Sequence, residues 1–136
     1  MIKLGVIEQS SSPWSAPIVL IPKPDRTYRF CVDYRRLNNI TVSDSFPLPR
    51  IDDLIDTVGK AKFLTKIDLS KGYWQVSMDE ESIPMTGFVT PFGHFQWKFM
   101  PFGLKNAPAT FQKLVQNVLL GLDHFTAVYL DILMTY

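Results

Sequence analysis

Short apolar runs broken by proline and glycine dominate the chain, and one stretch near its C-terminal end keeps a long helical period. Ile18-Val19-Leu20-Ile21 and Tyr28-Arg29-Phe30-Cys31-Val32 flank Pro22-Lys23-Pro24-Asp25-Arg26. This pattern predicts a β-hairpin with a basic, proline-stiffened tip. In a regular strand Arg29 points away from Tyr28 and Phe30. Asp33-Tyr34-Arg35-Arg36-Leu37-Asn38 leaves the hairpin as loop or a short helical turn. Ser45-Phe46-Pro47-Leu48-Pro49 reads as extended, because a residue before proline is pushed out of the α region. A helix from roughly Arg50 to Val58 follows, with Ile51, Leu54, Ile55 and Val58 on its apolar face and Gly59 ending it. Phe63 to Ile67 is a strand that ends on Asp68, breaks at Ser70-Lys71-Gly72 and resumes as a second short apolar run through Val76. Phe88-Val89-Thr90 and the run from His94 to Phe99 form a second hairpin around Pro91-Phe92-Gly93. Phe111, Leu114, Val115, Val118, Leu119 and Leu122 mark one helical face. A last strand runs from Phe125 to about Leu130, with Asp131 at its end. Residues 1–16 read as an extended arm anchored by Trp14. Intermixed helices and hairpins predict an α+β fold around a mostly antiparallel sheet.

Composition adds bounds. The 136 residues and 46% hydrophobic content suit one domain with a real core. With 14 Lys+Arg against 13 Asp+Glu, net charge carries no nucleic-acid signal. Between Lys23 and Arg36, however, five basic residues (Lys23, Arg26, Arg29, Arg35, Arg36) face two acidic ones. That patch suits phosphate, although a solvated face is the commoner meaning of such a run. The single Cys31 excludes an intramolecular disulfide and suits a reducing, intracellular compartment, with a buried thiol as the default. The N-terminus has no signal-peptide pattern, and no apolar run is long enough to span a membrane. His94 and His124 lack partners at metal-ligand spacing, so both are expected to be structural or exposed.

Two carboxylates carry the candidate chemistry. Asp68 ends a strand just before a glycine-containing turn. Taken alone, it reads as a cap on the backbone of Ser70 or Lys71. Asp131, at the end of another strand, changes that reading. Two aspartates at neighbouring strand ends can share a divalent metal through oxygen ligands.

Six ordered motifs then give a resemblance. They are Ser11-Ser12-Pro13-Trp14-Ser15-Ala16-Pro17, Phe30-Cys31-Val32-Asp33-Tyr34-Arg35, Lys66-Ile67-Asp68-Leu69, the segment Phe88 to His94, the segment Met100 to Phe111, and Tyr129-Leu130-Asp131. The chain resembles the reverse transcriptase of gypsy-type LTR retrotransposons, a relative of the retroviral enzymes. The resemblance implies the fingers and palm of a right-hand polymerase, incomplete at the C-terminus. Roughly residues 1–50 would be a fingers-like arm and hairpin, and roughly 51–136 the palm with an interleaved fingers segment. Thumb, connection, RNase H and integrase regions are expected to be absent. The implied activity is metal-dependent, RNA- or DNA-templated DNA synthesis, with Mg²⁺ or Mn²⁺ as cofactor. The implied partners are template-primer nucleic acid and deoxynucleotide triphosphates, with no membrane.

The resemblance also assigns roles. Asp68 and Asp131 become the catalytic metal ligands. The backbone at Lys71 and Gly72 lies against the triphosphate. Tyr73 sits under the incoming sugar and rejects a 2′-hydroxyl, and Phe102 and Gly103 line the nucleotide and template pocket. Lys23 and Arg29 grip the triphosphate, a task that suits the planar fork of arginine. Without the family, Tyr73 reads equally well as a core aromatic, and Pro101 to Lys105 as an ordinary loop.

One departure stands out. The family carries Tyr-x-Asp-Asp, and this chain reads Tyr129-Leu130-Asp131-Ile132. An acidic residue is missing at a tight hairpin, with the gap either after Asp131, which then aligns with the first of the pair, or at Leu130. A one-residue slip there sends each following side chain to the opposite face. The expectation is therefore a polymerase fragment that is inactive as it stands. Two rivals are a catalytically dead nucleic-acid-binding module and a decayed retroelement remnant. The β-prone, nearly uncharged C-terminal run from Phe125 to Tyr136 is further expected to leave its final strand as an open edge.

Overall fold

The computed structural model describes residues 1–136. Eight strands follow one another: β1 (Ile7–Gln9), β2 (Ala16–Pro22), β3 (Tyr28–Val32), β4 (Thr65–Asp68), β5 (Phe88–Thr90), β6 (Gly93–Trp97), β7 (Thr126–Tyr129) and β8 (Ile132–Thr135). Three α-helices accompany them: α1 (Arg35–Ile40), α2 (Ile51–Val58) and α3 (Ala107–Val118). The chain divides into two compact units, each made of two segments. Residues 1–42 and 73–107 form the first, and residues 43–72 and 108–136 the second.

The first unit is a five-stranded sheet in the order β1-β6-β5-β2-β3. All its pairings are antiparallel except β2 with β5, which run parallel through Ala16↔Phe88 and Pro17↔Val89. Gly87 permits that junction. Its carbonyl accepts the Ala16 N–H at 2.8 Å, and a Cβ on Gly87 would lie 2.1 Å from the Trp14 carbonyl oxygen. The core centres on fully buried Phe88, with Phe30, Phe95 and Trp97 at ring-centroid distances of 5.7 to 6.0 Å. Tyr34 is buried beside them and donates its hydroxyl to the Thr86 carbonyl at 2.7 Å. Burial pushes the Tyr34 phenol pKa well up, so it stays a neutral donor.

Three expectations for this unit fail. The N-terminal residues do not stand apart as an extended arm. Val6 and Ile7 are buried, and β1 pairs with β6. The strand is three residues long, too short for a period to be read from sequence. Trp14, 38% exposed, does not anchor it by burial; its carbonyl lies 2.9 Å from Nε2 of half-buried His94 instead. Cys31 is half-buried rather than buried. The apolar run after Lys71 forms a 3-10 turn over Gly72–Gln75. There Trp74 packs its ring on Trp97, centroids 5.7 Å apart.

The second unit holds a three-stranded antiparallel sheet, β4-β8-β7. The last strand, β8, is therefore the middle one, paired with Asp68 to Thr65 on one side and Tyr129 to Thr126 on the other. This overturns the expectation of an open edge there; β4 and β7 are the edges. In α3 the burial face is turned from the one the apolar spacing predicts. Phe111, Gln112 and Val115 are buried, while Leu114 and Val118 are exposed. Gln112, on the buried face between Phe111 and Val115, has hydrogen-bond partners on β7 and the turn after it. In α2, Ile51 and Ile55 are 55% and 58% exposed, so its predicted apolar face is only partly covered.

Candidate nucleotide and metal site

In the first unit, Lys23, Arg29, Phe102 and Gly103 line one cavity of about 640 Å³, together with Trp74 and Trp97. The β2–β3 hairpin supplies the cations. Ile21 pairs with Arg29 and Pro22 with Tyr28, so Arg29 and Tyr28 point to opposite faces, as the alternation requires. At the tip, Lys23 N–H donates to the Thr27 carbonyl at 2.8 Å and Arg26 takes a left-handed φ of 63°. Asp25 accepts from the Thr27 hydroxyl at 2.6 Å and its amide at 2.9 Å. These two bonds, the hydroxyl first, hold the Asp25 carboxyl below its ordinary range. Asp25 is thereby committed to the turn, and Lys23 and Arg29 have no carboxylate within ion-pairing distance.

The five cations of the sequence run do not make one patch. Arg35 is bound bidentately by Asp33, at 2.6 and 2.9 Å. Arg35 and Arg36 line a different cavity, beside Trp14 and Met85. Phe102 and Gly103 sit on a loop fixed from both sides. Asn38 donates to the Gly103 carbonyl and accepts the Lys105 N–H, both at 2.8 Å. Tyr73 packs against Phe102, ring centroids 4.8 Å apart. The two aromatics therefore restrict one another at the edge of the residues that line the cavity.

In the second unit, Asp68, Asp131, Lys71 and Gly72 gather at the rim of the three-stranded sheet. Asp68 is the last residue of β4 and the register partner of Ile132. The Leu69 N–H donates to the Asp131 carbonyl at 2.8 Å, and Gly72 N–H to the Leu69 carbonyl at 3.0 Å. Lys71 carries the turn in a left-handed conformation, φ 54°. Gly72 is buried with no room for a side chain. A Cβ there would lie 2.8 Å from the Phe111 ring and 3.3 Å from the Asp131 Cβ.

Asp131 sits in a two-residue hairpin turn, Leu130-Asp131, between paired Tyr129 and Ile132. Leu130 has φ 55°, at the first central position where such turns favour glycine. Gln112 secures this strained residue. Its side-chain oxygen accepts the Leu130 N–H at 2.9 Å and its nitrogen donates to the Val128 carbonyl at 3.1 Å. Sequence reasoning passed over Gln112, whose one signal is a polar residue beside Phe111 at the start of the apolar period. No three His, Cys, Asp or Glu side chains come together as a metal-binding group.

The two groups thus lie in different units: Lys23, Arg29, Tyr73, Phe102 and Gly103 in the first, and Asp68, Lys71, Gly72 and Asp131 in the second. Comparisons with known proteins bear on both. Residues 21–136 match the reverse transcriptase (RNA-dependent DNA polymerase) family. The chain is 50% identical to an RNA-directed DNA polymerase homolog of Oenothera berteroana, over 79% of this chain and 77% of that protein. It is 46% identical to the retrovirus-related Pol polyprotein from transposon 297 of Drosophila melanogaster, over 96% of this chain but 13% of the polyprotein. Among solved structures, the foamy viral protease-reverse transcriptase in complex with an RNA/DNA hybrid superposes with a TM-score of 0.91 at 27% identity. That match covers 99% of this chain and 18% of the viral one. The same viral protein in complex with double-stranded DNA gives a TM-score of 0.89 over 28% of its chain. No helix is long and apolar enough to cross a membrane.

Proposed function

This chain belongs to the reverse transcriptase family and has its α+β fingers–palm fold, and on that footing we propose that it binds template-primer nucleic acid and deoxynucleotide triphosphates without polymerising them as it stands. We read the first unit as fingers and the second as palm. The observation that carries the binding reading is the cavity where Lys23 and Arg29, free of carboxylate partners, face Phe102 and Gly103. Two unpaired cations over an aromatic and a glycine loop suit a phosphate chain joined to a flat base. The family's solved members include complexes with an RNA/DNA hybrid and with double-stranded DNA, and we carry those partner classes over to this chain.

Polymerases of this family work with divalent metal ions held by carboxylates, which neutralise charge on the phosphates of an in-line displacement. The donor set here does not fit a two-ion arrangement. Asp68 and Asp131 supply two carboxylates, and no third acidic, histidine or cysteine side chain joins them. We therefore derive no catalytic step for this chain. What its own residues do is bind: Lys23 and Arg29 draw phosphate, Phe102 and Tyr73 offer an aromatic surface, and Gly72 keeps the turn beside Asp131 free of a side chain.

The test is fluorescence anisotropy with a labelled RNA/DNA hybrid across a salt series. The expected result is salt-sensitive binding. In Lys23→Ala with Arg29→Ala, the slope of log K against log salt should fall by about 1 to 2, as two lost phosphate contacts require. Unchanged affinity and slope in that double variant would overturn the reading.

A further inference from the structure

Building on the family reading, we infer that the chain has lost its second metal-ion position to a single side chain, Ile132, and that the hairpin itself is intact. The argument is one of register. Ile132 pairs directly with Asp68 on β4 and with Tyr129 on β7. Residues directly opposite each other in antiparallel strands project to the same face. Asp68, Ile132 and Tyr129 therefore share one face at the rim, and an apolar side chain stands between Asp68 and the tyrosine. Asp131 occupies the turn itself, and the turn keeps two residues with its first amide held by Gln112. The missing acidic residue has thus shortened no loop. Ile132 stands directly after the turn, where a carboxylate following Asp131 would share the face of Asp68.

The strand after the turn has no strongly polar face. Ile132, Leu133, Met134 and Thr135 are all half-buried, with no alternation between them. A one-residue shift exchanges the two faces of a strand, and here the two faces are equally buried. Two routes therefore refill the position. Ile132→Asp places a carboxylate opposite Asp68 without moving the backbone. An Asp inserted after Asp131 takes the same slot with the turn still two residues long, and sends Ile132 and the residues after it to the other face.

Mn²⁺ binding measured by electron paramagnetic resonance of the free ion tests this without reference to activity. The full chain is compared with Ile132→Asp, with the uncharged isostere Ile132→Asn, with the Asp insertion, and with Asp68→Asn in the Ile132→Asp background. Circular dichroism establishes that each is folded. Both acidic variants should bind Mn²⁺ at least about tenfold more tightly than the unaltered chain, as an added carboxylate ligand implies. Ile132→Asn should gain nothing, and Asp68→Asn should abolish the gain. Two Asp68-dependent Mn²⁺ ions on the unaltered chain would overturn the inference whether or not the variants fold. So would an Ile132→Asp variant no better than Ile132→Asn, or a gain indifferent to Asp68. Nucleic-acid binding through Lys23 and Arg29 is read separately. Its failure with the metal gain intact would remove the proposed function and leave this inference standing.

Discussion

Gln112 and Leu130 are joined by a hydrogen bond of 2.9 Å from the Leu130 amide to the Gln112 side-chain oxygen, and the same side chain donates to the Val128 carbonyl. Gln112 is fully buried. Because Leu130 holds a left-handed φ, this bond fixes the turn that presents Asp131. Gln112→Leu leaves a buried donor and a buried acceptor unpaired, at a cost of about 2 to 4 kcal/mol. Chemical denaturation is expected to show that loss. Gln112→Glu should be milder at acid pH, where a protonated carboxyl can still pair with both groups.

Gly72→Ala is expected to destabilise by about 1 to 3 kcal/mol, the usual consequence of overpacking. The new methyl would meet the Phe111 ring at 2.8 Å, and Phe111, 2% exposed, cannot swing away. Relief must come from the other contact, Asp131. In the Ile132→Asp background the same change should therefore also weaken Mn²⁺ binding. Unaltered stability and metal affinity together would show that the turn is looser than its contacts imply.

The strands and helices that frame both clusters were legible in the sequence, and what was missed has particular causes. The β2–β3 hairpin, the Asp68 strand, the β5–β6 hairpin and α2 follow from alternation and from the Pro and Gly that bound them. β1 was missed because three residues carry no period. The apolar run through Tyr73 and Trp74 was legible, but its 3-10 turn was not, because such residues are favoured in strands and here their rings pack on Phe102 and Trp97 instead. The position of β8 between β4 and β7 is a long-range pairing that no local pattern encodes. The basic run was legible as charge. Its division, with Arg35 taken up by Asp33, depends on a contact geometry that only the fold supplies.

That Asp33–Arg35 contact sets a pH dependence. The Arg35 guanidinium, and then its backbone amide, hold the Asp33 carboxyl down to about 2, against an ordinary 3.8. A depressed carboxyl contributes stability above its unfolded value and loses it as pH falls through its folded one. The difference in unfolding midpoint between the native chain and Asp33→Asn should therefore be constant above about pH 5, fall progressively below that, and be gone by about pH 1. A difference undiminished at about pH 2 would mean that the pair acts through packing and not charge.

Arg29→Lys should weaken binding of the RNA/DNA hybrid while leaving the salt slope nearly unchanged. The substitution keeps the charge that releases counterions but discards the planar fork that can hold two phosphate oxygens. Arg29 is exposed and makes no ion pair that a lysine would have to replace, so stability should move by less than about 0.5 kcal/mol. Equal affinity for the two forms would show that Arg29 acts as a point charge only.

Self-association should run through β4 and not through the C-terminal strand. β8 is paired on both sides, whereas β4 is an edge on which Thr65, Lys66, Ile67 and Asp68 are all exposed. Phe63 and Leu64, just before it, are 87% and 53% exposed. An edge strand led by two bare apolar residues is a template for another chain, and charge is the usual guard against that pairing. Lys66 supplies such a charge in the middle of the edge. Lys66→Val is therefore expected to lower the concentration at which light scattering detects aggregates, and Phe63→Lys to raise it. Met134→Lys, on the central strand, should instead act on folding stability. If Phe63→Lys leaves the association threshold where it was, the β4 edge is not the route.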